Sequence, residues 1–284
     1  MTRSRRTLIG GLLAAGVLAA AGVTACSRAS EPDPVPLDQV LTARAELPRL
    51  IRHPRTVAVL VHNQGTEPVQ VRQVELISES FAPVEPAVMD VIIPPGAAKA
   101  LPVIYGEGQC GGELAPAVGH TTARLVVVVA GQEQTVELPI PNPSDLAPRL
   151  HADCVAQVVT RALTAELQDW STRPDGMLQT PLVLSRVAGD EPITLHRVQG
   201  SVLYRFTPLT ELPVELPAGT DSVAVPFVVD PARCDGHAMA DAKFPYQFRA
   251  YLTIGDTPVI PADITTDLDG RDALPVMWKA LCSH

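Results

Sequence analysis

The chain has 284 residues, of which 46% are hydrophobic, 4% aromatic and 19% charged, and its formal net charge is −9. That apolar content excludes wholesale disorder, and an acidic body is repelled by nucleic-acid phosphates, so no nucleic-acid partner is expected. Its 28 prolines count against an architecture of long helices, since an interior proline costs about 3 kcal/mol.

The first segment carries the most information. Arg3, Arg5 and Arg6 precede an uncharged run from Leu8 to Val23, which ends in Thr24-Ala25-Cys26. A basic head, an apolar middle and small residues before a cut form the anatomy of an export signal. The run is shorter than the roughly 20 residues a spanning helix needs. Val23-Thr24-Ala25-Cys26 resembles the bacterial lipoprotein signal. The resemblance implies that residues 1–25 are removed, that Cys26 is lipidated, and that the lipid holds the mature chain at the outer face of the cytoplasmic membrane. Ser4-Arg5-Arg6-Thr7-Leu8-Ile9 also resembles the twin-arginine export signal, with general secretion as the alternative route. An uncleaved anchor and a plain secretory signal are the competing readings of the segment. Without residues 1–25 the chain keeps 19 basic and 31 acidic side chains, a net charge of −12. The lipid rather than electrostatics must then hold it at the membrane. Residues 26–38, polar and proline-rich, read as a flexible tether.

Beyond the tether the pattern is one of strands and turns. Val57 to His62 is an apolar run closed by the turn signal Asn63-Gln64-Gly65, and Val69 to Leu76 alternates at first, as a half-buried strand does. Leu101–Tyr105 follows. Leu125–Val129 and Thr135–Ile140, on either side of Ala130-Gly131, read as a hairpin. Val155 to Leu167 suits either a helix or a strand, and we take it as the first strand of a second module. Leu182–Leu184, Ile193–Leu203, Val223–Val229, Tyr246–Ile254 and Thr257–Ile260 complete the series.

The second series repeats the first. Gly65-Thr66-Glu67-Pro68 matches Gly189-Asp190-Glu191-Pro192, Val74 matches Val198, and Cys110 matches Cys234, all at an offset of 124. Leu146, Leu150 and Cys154 match Leu274, Trp278 and Cys282 at 128, a match that places Trp278 in a core. A period this long means two similar domains rather than a solenoid. The expected fold is all-β: two tandem, duplicated immunoglobulin-like sandwiches, 39–157 and 158–284, after the signal helix and tether.

Besides Cys26 there are four cysteines, an even number in an exported chain, which favours disulfides. Four cysteines allow three pairings. The repeat selects Cys110–Cys154 and Cys234–Cys282, one bridge per domain. Each closes a loop long enough to contribute about 3–4 kcal/mol through the unfolded state. A four-thiolate metal site lacks the close cysteine pairs it needs.

Catalytic motifs are absent, and three weaker constellations remain. Asp267-Leu268-Asp269-Gly270-Arg271-Asp272 resembles the start of a calcium loop, but Trp278 stands where the loop needs its bidentate Glu. The alternative is a polar turn. His237 and Met239 form a pair of copper-ligand types beside Cys234, against which stands a plain surface loop. His62, His120, His151 and His196 are scattered, and a hydrolase triad assembled in space is the remaining enzymatic reading. Few aromatic residues weaken a carbohydrate-binding role. The expectation is therefore a non-enzymatic binding or scaffold module without cofactor, whose partner is a protein of the cell envelope engaged through exposed strand edges. A calcium- or copper-binding accessory protein, or a cryptic hydrolase, is the alternative.

Overall fold

A computed structural model describes residues 36–47, 55–141, 143 and 145–283. The signal segment, Cys26 and most of the tether lie outside the described residues. The chain opens with a single helical turn, α1 (Leu37–Val40), where the end of the tether was expected, and continues into β1 (Leu41–Glu46). Then come β2 (Thr56–Asn63), β3 (Val69–Ser78), β4 (Ala87–Ile93), β5 (Ala98–Ile104), β6 (Thr121–Val129) and β7 (Gln132–Pro139). Two sheets result, β1-β2-β5 and β4-β3-β6-β7.

Alternation explains the facing of these strands. Ala123, Leu125 and Val127 of β6 are fully buried, while Arg124 between them is exposed. Inward residues of both sheets, among them Val57, Val59, Val71 and Leu101, form one core. The hairpin expected between β6 and β7 is present. Its turn residues Ala130 and Gly131 have φ values of 49° and 78°, the double left-handed turn that suits a two-residue connection.

A helix, α2 (Ala147–Ala162), runs straight into β8 (Leu163–Leu167). This corrects the strand expected over Val155–Leu167: only its last five residues are extended. In α2, Leu150 and Cys154 pack in the first core while Val155 and Val159 belong to the second. A helix whose successive buried residues serve two cores lacks a single clean amphipathic stripe. Its Pro148 stands in the first turn, where a missing N–H costs nothing. The boundary expected at 157/158 falls inside α2.

The second module comprises β9 (Ser171–Thr172), β10 (Leu178–Arg186), β11 (Ile193–Gln199), β12 (Tyr204–Pro208), β13 (Val214–Leu216) and β14 (Ser222–Pro231). After these come α3 (Gly236–Asp241), β15 (Phe248–Ile254), β16 (Ile260–Thr266) and α4 (Leu268–Cys282). The order β12-β14-β10-β8-β16-β15-β11-β13 makes one curled sheet, with β9 attached to β10. The same two half-sheets recur here, β14-β10-β8 and β16-β15-β11-β13, now joined by a short parallel pairing of β8 with β16. The repeat extends to irregularities. β3 bulges between Val71 and Gln73 and β11 between Leu195 and Arg197, positions 124 residues apart. Gly96 and Gly219, each with φ of 71°, turn the chain into β5 and β14.

Candidate functional site

Both disulfides are in place, Cys110–Cys154 and Cys234–Cys282, and each ties the segment after the β5 or β14 strand to the helix that ends its module. Around the first bridge, Asp153 of α2 accepts hydrogen bonds from the Arg55 guanidinium at 2.8 Å and from the Gly108 amide at 2.9 Å. Gln157 donates to the Gly108 carbonyl at 2.7 Å. Arg55 also lies against Tyr105, whose hydroxyl is pushed up in pKa chiefly by burial. This corner is a clamp in which Arg55, Asp153 and Gln157 are bonded inward. Around the second bridge, Asp235 caps α3 by accepting from the Ala238 amide, and the Trp278 indole donates to the Arg233 carbonyl at 2.9 Å. Trp278 packs against the second core, as its repeat partner Leu150 suggests, but from its margin. It lies half-buried over the disulfide loop, because its indole N–H reaches an acceptor there that a leucine does not need.

The sequence-predicted metal and catalytic constellations have other occupations. Asp267 is the N-cap of α4, its carboxylate accepting from the Gly270 amide at 2.8 Å, the ordinary role of Asp at a helix start. Asp269 falls in the first turn of that helix, where an acid complements the helix dipole. His237 begins α3, and the Met239 side chain lies outside the described residues. His62 and His151 meet the backbone carbonyls of Gly96 and Leu114, and His196 meets the Thr253 hydroxyl at 3.4 Å. These three histidines stand on three different elements, β2, α2 and β11. Among the described residues no group of three His, Cys, Asp or Glu side chains gathers as a metal site, and no helix is long and apolar enough to cross a membrane.

What sequence reading missed is the edge strand β4. It borders the four-stranded sheet and pairs only with β3. Its residues alternate without a break: Ala87, Met89 and Val91 turn inward, while Val88, Asp90 and Ile92 face out. Val88 is 80% and Ile92 57% exposed. Asp90 accepts from Gln70 at 2.5 Å and Arg72 at 3.2 Å on the neighbouring strand. The other long edges carry the devices that discourage pairing. β7 presents Gln132, Glu133 and Gln134, β5 contains Lys99 and Pro102, and β1 exposes Arg44. β13 has three residues. β4 has neither proline nor lysine; its devices are milder, a register shift opposite Val71–Gln73 and the single exposed charge of Asp90, and half of its peptide groups point away from β3. The signal in the sequence was the β-branched run Val88-x-x-Val91-Ile92-Ile93 between two prolines, Pro86 and Pro94.

These features define a class, an all-β protein of sandwich modules, each closed by a disulfide-tethered helix. No known protein family matches the chain, and no curated protein does. Among solved structures, a β-D-mannosidase from Dictyoglomus thermophilum is 10% identical with a TM-score of 0.22, over 81% of this chain and 22% of that one. The chain thus spans about a fifth of the mannosidase. The chaperone YadV is 10% identical at TM-score 0.19, over 74% of this chain and 92% of its own. A protein of unknown function from Porphyromonas gingivalis W83 is 17% identical at TM-score 0.20, over 81% of this chain and all of its own. At such TM-scores none of these likenesses bears on function.

Proposed function

We propose that this chain is an exported lipoprotein, anchored through Cys26 at the outer face of the cytoplasmic membrane, that acts as a non-enzymatic binding module for a protein of the cell envelope. The observation that carries the reading is the β4 edge, free of proline and lysine, with two exposed apolar side chains, Val88 and Ile92, on either side of Asp90. An extended partner segment adds to such an edge through backbone hydrogen bonds, and the exposed side chains select which segment fits. Opposite Val88 and Ile92 it places apolar residues, and opposite Asp90 a polar or basic one, since cross-strand pairs of matching character stabilise by about 0.2–1 kcal/mol each. The calcium, copper and hydrolase readings draw no support from the placement of the described side chains.

A photo-crosslinking residue placed at Ile92 in intact cells tests the interface. The expected result is a discrete protein adduct that disappears when Val88 is replaced by Lys, with no adduct from a crosslinker at Gln134 on the opposite edge. No adduct from Ile92, or an identical pattern from Gln134, overturns the reading. Both positions are exposed, so their replacement leaves stability within about 0.5 kcal/mol.

A further inference from the structure

The second module gathers a group of features that the β4 edge does not use. Tyr246, Tyr204, Phe248, Phe206 and Phe227 form one chain of stacked and edge-to-face rings, with centroids 4.8–6.3 Å apart. They are five of the nine Phe and Tyr residues in the protein, so a low aromatic content overall becomes a local concentration. This cluster belongs to the core of the second module, and two of its rings, Tyr204 and Phe206, reach the lining of a groove of about 780 Å³ that opens between the β11–β12 turn and the segment leading into β15. Gly200 makes its turn possible, because a Cβ there would stand 1.9 Å from the Tyr204 carbonyl oxygen.

The lining is rich in donors. Gln199 accepts from the Tyr251 hydroxyl at 2.7 Å, which leaves its amide N–H groups to donate. Ser201 accepts from the Leu203 amide, which leaves its O–H. The Gln247 side chain and Lys243 have no hydrogen-bond or carboxylate partner among the described residues. Tyr204 is 2% exposed, and its hydroxyl has no partner among the described residues either. Burial first, then the neighbouring Tyr246, raises its pKa, so it keeps its proton and remains a donor. The acid Asp230 is committed to Arg205, a residue of the lining. In a chain as acidic as this one, a concave surface with an ammonium and no carboxylate among its described lining residues runs against the average charge. Phe244, 67% exposed, stands at the rim. The volume exceeds what a simple inorganic anion fills. Spaced donors suit hydroxyl and carboxylate oxygens, and an exposed ring suits the apolar face of a sugar.

We infer that this groove binds an anionic oligosaccharide, with Lys243 meeting the acid group, Phe244 covering one sugar face, and Gln199, Ser201 and Gln247 donating to hydroxyls. The inference stands independently of the β4 edge, and each can fail without the other. Titration calorimetry on the full chain in detergent, with trigalacturonic acid and neutral maltotriose as probes, tests it. Saturable binding of the acidic trisaccharide is expected, weakened about tenfold for maltotriose and for Lys243→Met, and lowered by added salt. Phe244→Ser weakens both sugars. Both variants alter exposed side chains, and unchanged thermal melting confirms that they fold. Absence of saturation, equal affinity for the neutral sugar, or full affinity in Lys243→Met overturns the proposal.

Discussion

Gly270 shows how one position can set two rules against each other. It lies in the first turn of α4, where helix propensity favours Ala over Gly by about 1 kcal/mol. A Cβ there, however, would meet the Trp170 ring at 2.4 Å, and overpacking a fixed aromatic costs about 1–3 kcal/mol. The steric cost is the larger, so Gly270→Ala lowers the urea midpoint rather than raising it. Asp267→Ala removes the cap of the same helix and costs about 1 kcal/mol by the same assay. A calcium ligand in that position would instead give a metal-dependent shift in melting, which we do not expect. Asp235 offers a pH signature. The Arg233 hydrogen bond, followed by lesser contributions including the Ala238 amide, holds its carboxyl below the usual aspartate range. A carboxyl whose folded pKa is depressed contributes stability above the unfolded value and loses it as pH falls through the folded one. Its carbon resonance in an NMR titration should therefore move at lower pH than that of an ordinary aspartate, and Arg233→Ala should return it to the ordinary range.

Among the elements, the two disulfides differ in surroundings more than in loop length. Cys110 and Cys154 are 5% and 0% exposed behind the Arg55–Asp153 clamp, whereas Cys234 is exposed and Cys282 half-buried. Thiol exchange needs access to sulfur. Under limiting reductant Cys234–Cys282 should open first, and alkylation followed by peptide mass mapping reads the order. Replacing both Cys110 and Cys154 by Ala should cost about 4 kcal/mol, from the entropy of a loop with a sequence separation of 44. The same scale shows where pattern reading stops. Strands β2, β6 and β10 were legible because each is an apolar run that packs against a single core. α2 was not, because it packs against two. β4 went unread as an edge because edge position belongs to sheet order, which no local window contains.

For the whole molecule, charge and anchor are separable. With a net charge of −12 after residue 25, the body has no electrostatic reason to stay at an anionic surface. Under the proposed function, Cys26→Ser should release the protein from membranes into the soluble fraction without lowering its melting temperature. Intact-mass measurement should find a chain that begins at Cys26, carries acyl groups and gains about four hydrogens on reduction. A membrane-bound Cys26→Ser variant would refute the anchor.

The chain by itself determined the all-β class, the repeat and the pairing of the cysteines. Alternation with period two reports facing, and matched landmarks report equivalence. Both are properties of residue order. Only the tertiary structure decided which edge is left open, that Trp278 sits at the margin of its core and bonds to the disulfide loop, that Asp267 caps a helix, and that side-chain donors from separate segments share one groove with Phe244. Each of these depends on neighbours far apart in the chain, where burial and hydrogen-bond partners are settled by packing rather than by local pattern.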